Sequence, residues 1–296
     1  MEPASPGASE SDSPGVSMPP RRGCLSFVAF AVCGVVLVLD CLGYLGPEDF
    51  EPSPLSSEAA DLGMVLLPPG IPPTQVQTYT WRVEGLEPRW HRVIYGLDTS
   101  LVDKIERDEE ALGKRMHFRA ISRERFTFRA PRECEVDMRC VYEELMRTNS
   151  EPVKQLGHRF LAYIRDHQLS SEQAADLIIG FVQRIHYELP PVEVPFGVIP
   201  PALVPAKDSG DCDSKALLAV MLLQQAGIDA VLLYSDRLAH AAVGVGLPGS
   251  GTALRREGRS WRYAEVTAEG WPIGMIPPQY DKPQLWTVIP PFSQGS

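Results

Sequence analysis

The chain has 296 residues, of which 44% are hydrophobic, and its formal net charge at pH 7 is −10. Apolar content of this size can form one medium domain with its own core once the tails are set aside. The acidic balance disfavours nucleic acid as a partner, because binding to a phosphate backbone requires a basic surface.

The N-terminal sequence predicts attachment to a membrane. Residues 1–23 are rich in Ser, Pro and Gly without apolar periodicity, which is typical of a disordered tail. An uncharged apolar run from Cys24 to Leu39 follows, and residues 24–46 together are long enough for one transmembrane helix of ~20 residues. Two arginines precede this run and acidic residues follow it, so the positive-inside rule predicts a cytoplasmic N-terminus. The folded domain of this single-pass protein would then be periplasmic or extracellular.

The alternative to an anchor is a cleaved signal peptide, with a poor cleavage site at Cys41 to Gly43 after an unusually long N-terminal region. Residues 47–73, which follow, are rich in proline and acidic residues. Such a composition predicts a semi-extended stalk that holds the domain away from the membrane.

Cysteine usage fits an oxidising compartment. Three cysteines lie in the apolar segment, which leaves Cys134, Cys140 and Cys212 in a compartment that permits disulfides. Pairing Cys134 with Cys140 leaves Cys212 free, as a nucleophile requires. Six residues of continuous helix would separate the two Cα atoms by about 9 Å, beyond the usual limit of about 7 Å. A disulfide therefore requires a break in any helix between them.

Residues 74–149 are predicted to form an N-terminal β-containing region. The stretches Gln75–Val83, Trp90–Tyr95 and Arg125–Arg129 are β-prone, and the first alternates polar and apolar residues. The sequence leaves open whether these strands are independent of the following domain or extend one sheet.

The pattern becomes helical from Ser150 onward. Apolar residues recur at helical spacing, and Ser170 with Gln173 forms a capping box that predicts the start of a second helix. Leu189 to Pro205 contains many prolines, so we expect a surface loop that runs toward a functional site.

Three residues carry the chemistry. Cys212 precedes an apolar run that predicts a buried helix up to Gly227, and the positive end of a helix favours a nucleophilic thiolate. His240 and Glu265 follow in two predicted strands that are adjacent and antiparallel. A thiol, an imidazole and a carboxylate in this order provide the nucleophile, base and orienting group of thiol acyl transfer.

Five segments of the chain resemble the transglutaminase-like superfamily, which shares a core with papain-type cysteine peptidases. The segments are Phe181 to Tyr187, Gly210 to Cys212, Ala226 to Ile228, His240 to Val243 and Glu265 to Trp271. The resemblance is closest to a prokaryotic membrane-anchored branch, although Glu265 replaces the aspartate of many members. It implies an α+β fold in which a central Cys-bearing helix packs on an antiparallel sheet, over residues 150–282. Residues 283–296 are then predicted to be a C-terminal tail.

The resemblance implies that Cys212, His240 and Glu265 attack peptide or protein amides to form a thioester. An amine then completes acyl transfer and water completes hydrolysis, and these residues do not distinguish the two. The non-enzymatic alternative is a peptide-binding or assembly module that has kept the fold without turnover. No cofactor is predicted. A zinc site at Cys134, Cys140 and His117 is disfavoured, because no fourth ligand stands at a recognised spacing.

Overall fold

The computed structural model describes residues 59–122, 125–131, 134, 137–256 and 258–289. Within them the fold is α+β, as predicted, with six α-helices and three sheets. The strands are β1 (Ala60–Leu67), β2 (Gln75–Arg82), β3 (Trp90–Leu97), β4 (Arg119–Ser122), β5 (Arg125–Thr127), β6 (Ala230–Ser235), β7 (His240–Val245), β8 (Ala253–Arg256), β9 (Arg259–Ala264) and β10 (Thr287–Ile289). The helices are α1 (Thr99–Arg115), α2 (Asp137–Thr148), α3 (Ser150–Asp166), α4 (Ser171–Arg184), α5 (Leu203–Lys207) and α6 (Cys212–Gln225).

The N-terminal sheet has the order β1-β3-β2, in which β1 is parallel and β2 antiparallel to β3. The prediction of a stalk over residues 47–73 is therefore wrong for β1, where Leu62 and Val65 are buried. A parallel edge strand must pair with a distant segment, and the local composition of this stretch carries no sign of that partner.

The N-terminal sheet shares its core with the rest of the protein. Trp81 donates a hydrogen bond of 3.1 Å from its indole nitrogen to the carbonyl of Leu177 in α4. The hydroxyl of Tyr79 donates one of 2.7 Å to the carbonyl of Pro205 in α5. These buried bonds join the sheet to the helices across residue 150, so the two predicted regions pack as one unit.

Residues 74–149 also contain two helices that the prediction of a β-containing region omitted. Asp98 caps α1, its side chain accepting a hydrogen bond of 2.8 Å from the backbone of Ser100. Val102, Ile105 and Leu112 then bury one face of α1. Their spacing is helical, so the signal was present in the sequence.

Cys134 and Cys140 form a disulfide, with their Cα atoms 6.0 Å apart. The helix α2 begins at Asp137, between the two cysteines. Cys134 therefore lies before the helix, which meets the geometric condition for bridging.

The C-terminal sheet has the order β10-β6-β7-β9-β8, and all its neighbouring strands are antiparallel. The prediction of a tail from residue 283 is wrong for β10, which pairs with β6. A strand of three residues is too short to show periodicity in a sequence.

The central helix α6 packs against β6 and β7 on one side and against α3 and α4 on the other. Every residue from Cys212 to Leu223 is buried, because protein surrounds the helix. The helix ends before Gly227, whose φ of 75° is the left-handed conformation that commonly ends helices. The capping box of Ser170 and Gln173 at the start of α4 is also confirmed.

No helix among the described residues is long and apolar enough to cross a membrane. The predicted span at residues 24–46 lies outside the described part of the chain.

Candidate active site

Cys212 is the first residue of α6, and the residue before it fixes that end of the helix. The carboxylate of Asp211 accepts hydrogen bonds from the backbone and the hydroxyl of Ser214, at 3.0 and 2.6 Å. This cap aligns the backbone N–H groups of the first turn beside the thiol. Cys212 is only 5% exposed, so a charge that forms there is stabilised more by the helix end than by water.

His240 and Glu265 are in direct contact. His240 begins β7, and Glu265 follows the last residue of the neighbouring antiparallel strand β9. The Nε2 atom of the imidazole lies 3.0 Å from Oε2 of the carboxylate. Both side chains are buried. Since Glu265 occupies Nε2, Nδ1 is the ring nitrogen that remains for a thiol.

Glu265 is held as a carboxylate by a set of donors. Oε2 also accepts a bond of 2.7 Å from the hydroxyl of Tyr263. Oε1 accepts bonds from the backbone of Val266 and from both the backbone and hydroxyl of Thr267, at 3.0, 3.0 and 2.7 Å. Burial opposes ionisation, but the charge of His240 and these hydrogen bonds lower the pKa of Glu265 to about 2. The carboxylate therefore fixes the orientation and tautomer of His240.

Two aromatic side chains cover His240. The ring of Tyr280 stacks on the imidazole, with 4.0 Å between centroids and 13° between planes. The ring of Trp286 lies 6.1 Å from the imidazole, and its indole nitrogen donates a bond of 3.0 Å to the carbonyl of Tyr280. Both residues lie between the Glu265–Trp271 motif and β10, and sequence reasoning gave neither of them a role.

Cys212 begins α6, the helix that packs against β7. Burial raises the pKa of Tyr263, and the nearby charges of Glu265, Tyr280 and Cys212 add to this effect. The helix that carries Cys212 thus packs against the strand that carries His240, whose imidazole contacts Glu265.

Asp213, together with Asp211 on the other side of Cys212, opposes ionisation of the thiol. One carboxylate oxygen of Asp213, Oδ1, is 3.4 Å from Sγ of Cys212. The other, Oδ2, accepts a bond of 2.8 Å from the hydroxyl of Tyr142 on α2. A neighbouring negative charge disfavours a thiolate, whereas the tyrosine bond draws part of that charge away. The sequence showed this conflict but not the role of Tyr142.

A buried lysine and a buried glutamine tie the elements of the site together. Lys215, one turn after Cys212, donates bonds of 3.2 and 2.6 Å to the carbonyls of Gln183 and Ile185 at the end of α4. Burial lowers the pKa of Lys215 to about 8. The amide of Gln183 donates bonds of 2.8 Å to the carbonyls of Glu265 and Trp271. In the sequence, the signal for these contacts is a polar residue within an otherwise apolar helix, Gln183 in α4 and Lys215 in α6.

Asp211, Cys212 and Asp213 place their potential ligand atoms within 4.8 Å of one another. The two carboxylates serve the helix cap and Tyr142, which explains their presence without a cation. The disulfide makes Cys134 and Cys140 unavailable to the zinc site that was considered with His117.

No family model, curated protein or solved structure matches this chain.

Proposed function

We propose that this protein is a transglutaminase-like thiol enzyme that attacks peptide or protein amides through Cys212, His240 and Glu265. The observation that carries the proposal is the buried 3.0 Å contact between His240 and Glu265. It lies on the sheet against which the Cys212 helix packs. A buried carboxylate that orients an imidazole is typical of a histidine that transfers protons as a general base.

In the first half of the reaction, Nδ1 of His240 accepts the proton of the Cys212 thiol. The thiolate attacks the amide carbonyl carbon, and the carbonyl π electrons move to oxygen. Backbone N–H groups at the start of α6 stabilise this oxyanion. The imidazolium then gives its proton to the amide nitrogen, the C–N bond breaks, and an amine leaves behind a thioester on Cys212.

In the second half, His240 accepts a proton from the incoming nucleophile. A primary amine attacks the thioester to form a new amide, whereas water forms a carboxylic acid. Either attack expels the Cys212 thiolate, which is reprotonated from His240 and restores the enzyme. Glu265 remains ionised throughout and stabilises the imidazolium.

The proposal includes the predicted setting of the enzyme. Residues 24–46 would anchor the chain as a single span, with its folded domain in the periplasm or outside the cell. The disulfide between Cys134 and Cys140 supports this setting, because such bonds persist in oxidising compartments.

The pH dependence of Cys212 alkylation by iodoacetamide in the full-length chain tests the proposal, with the labelled peptide identified by mass spectrometry. We expect reaction well below pH 8, and loss of this advantage in His240→Ala and Glu265→Gln. His158→Ala, at an exposed histidine outside the site, is the matched control. Slow labelling that neither His240→Ala nor Glu265→Gln changes would contradict an activated nucleophile. With a primary amine added, formation of a new amide indicates transfer and formation of a free carboxylic acid indicates hydrolysis, because both routes release the first amine.

The alternative is a binding module that has lost turnover, and one observation favours it. Asp213 lies 3.4 Å from the thiol and opposes its ionisation. Slow alkylation of wild-type protein that also retains tight peptide binding would support this second function.

A further inference from the structure

The β4–β5 hairpin and its flanks are strongly basic, although the protein is acidic. Residues 114–129 contain six lysines and arginines and one glutamate, a net charge of +5, whereas the whole chain carries −10. We define the basic hairpin surface as Arg119, Ile121, Arg125 and Arg129. All four side chains are exposed.

Aromatic packing holds this hairpin in place. Phe126 of β5 is buried and lies between Phe118 and Phe128, with ring centroids 5.5 and 6.0 Å away. Phe196, which is fully buried, packs against all three rings. The hairpin therefore has one anchored side and one side that faces solvent.

The solvent side combines unpaired charge with an exposed apolar residue. Arg119, Arg125 and Arg129 form no ion pair with any residue that the structure describes, whereas nearby Arg115 contacts Glu144 at 2.6 Å. Ile121 is 55% exposed, the highest value among the large exposed hydrophobic residues of the described chain. Arginines around an exposed isoleucine are suited to bind a partner whose outer layer is anionic and whose inner layer is apolar.

We propose that the basic hairpin surface binds an anionic phospholipid bilayer. The guanidinium groups would contact lipid phosphates, and Ile121 would enter the boundary between headgroups and acyl chains. Nucleic acid is the weaker candidate, because the remainder of the chain carries a net −15 and repels a long polyanion. A flat bilayer can contact the exposed side chains of this one hairpin, whereas a long polyanion would also meet the acidic remainder of the chain.

The order of the chain places a bilayer within reach. The predicted span ends at residue 46, and the described part of the chain begins at residue 59. If fully extended, the twelve residues between them would cover at most roughly 43 Å, comparable to the width of the domain itself. A second contact through the hairpin would fix the orientation of the domain on the membrane.

Hydrogen–deuterium exchange of the full-length protein tests this proposal, with vesicles of phosphatidylcholine alone or mixed with phosphatidylglycerol. We expect slower exchange in the peptide that covers residues 114–131 on the anionic vesicles only. Each arginine near an anionic surface contributes about fivefold to the contact equilibrium. The triple variant Arg119→Gln/Arg125→Gln/Arg129→Gln should therefore lose the protection.

The matched control is Arg107→Gln/Arg237→Gln/Arg255→Gln, which removes three exposed arginines elsewhere and changes the net charge equally. It should keep the protection. Ile121→Ser should weaken it, while Cys212 alkylation stays at the wild-type rate in every variant. Equal exchange on neutral and anionic vesicles, or protection that survives the hairpin triple variant, would overturn the proposal. Stronger protection by duplex DNA than by anionic vesicles would also overturn it and assign the surface to nucleic acid.

Discussion

The imidazole of His240 lies parallel to the ring of Tyr280, with 4.0 Å between their centroids. This stacking shields one face of the proposed base from water while Glu265 holds its edge at 3.0 Å. The site is therefore built from a C-terminal segment as well as from the strands that carry the motifs.

Tyr280→Ala should slow Cys212 alkylation at pH 7 by about two- to tenfold, because an aromatic pair of this kind contributes about 0.5–1.5 kcal/mol. Tyr280→Phe keeps the ring and should retain most of the wild-type rate. Faster alkylation in Tyr280→Ala would show instead that the ring blocks access to the thiol.

Asp213→Asn should increase Cys212 alkylation at pH 7 by about tenfold, since it removes a negative charge 3.4 Å from Sγ. Tyr142→Phe should decrease it, because the lost hydrogen bond returns that charge to the carboxylate. The pH–rate profile of each variant is the measurement. Asp103→Asn changes an exposed aspartate on α1 and should leave the profile unchanged. Equal profiles for wild type and Asp213→Asn would contradict the assigned role.

Glu265 should also contribute to stability in a pH-dependent way. Its folded-state pKa of about 2 is below the ordinary 4.5, so between these values the unfolded chain binds more protons than the folded one. The contribution is present above pH 4.5 and is lost as the pH falls toward 2. Glu265→Gln should lower the free energy of unfolding by about 3 kcal/mol, measured by urea unfolding at pH 7. The reason is that His240, Tyr263 and Thr267 would lose the buried negative charge to which they bond. If Glu265→Gln lowers the free energy of unfolding as much at pH 2.5 as at pH 7, this explanation is contradicted.

His91 should make the protein sensitive to mild acid for a different reason. The side chain is fully buried, and neither ring nitrogen hydrogen-bonds to a described residue, although the backbone of Arg89 is close. Burial, with a smaller effect from the charge of His167, lowers the pKa of His91 to about 4. Between pH 6.5 and 4 the unfolded chain therefore binds an extra proton, and folding stability falls as the pH falls.

His91→Phe should flatten this dependence, and urea unfolding at pH 7 and pH 5 measures it. His158→Gln replaces an exposed histidine and should leave the slope as in wild type. An unchanged slope in His91→Phe would show that other groups cause the acid sensitivity.

Local sequence patterns predicted the elements in which apolar residues recur at regular spacing over many residues. The apolar run after Cys212 and the capping box at Ser170 each specify a helix from neighbouring residues alone. The strands β1 and β10 were missed, because they form by pairing with segments far away in the chain.

The sequence by itself determined that Cys212 begins α6 and that His240 lies in β7, because helix and strand periods follow from local spacing. It placed Glu265 within a strand, whereas β9 ends one residue earlier, at Ala264. Only the tertiary structure decided that Tyr280 stacks on His240 and that Tyr142 bonds to Asp213. Those contacts join segments separated by 40 and 71 residues, whose approach depends on packing of the whole core. Residue types and local spacing thus fix the candidate chemistry, whereas long-range packing sets the environment in which it would act.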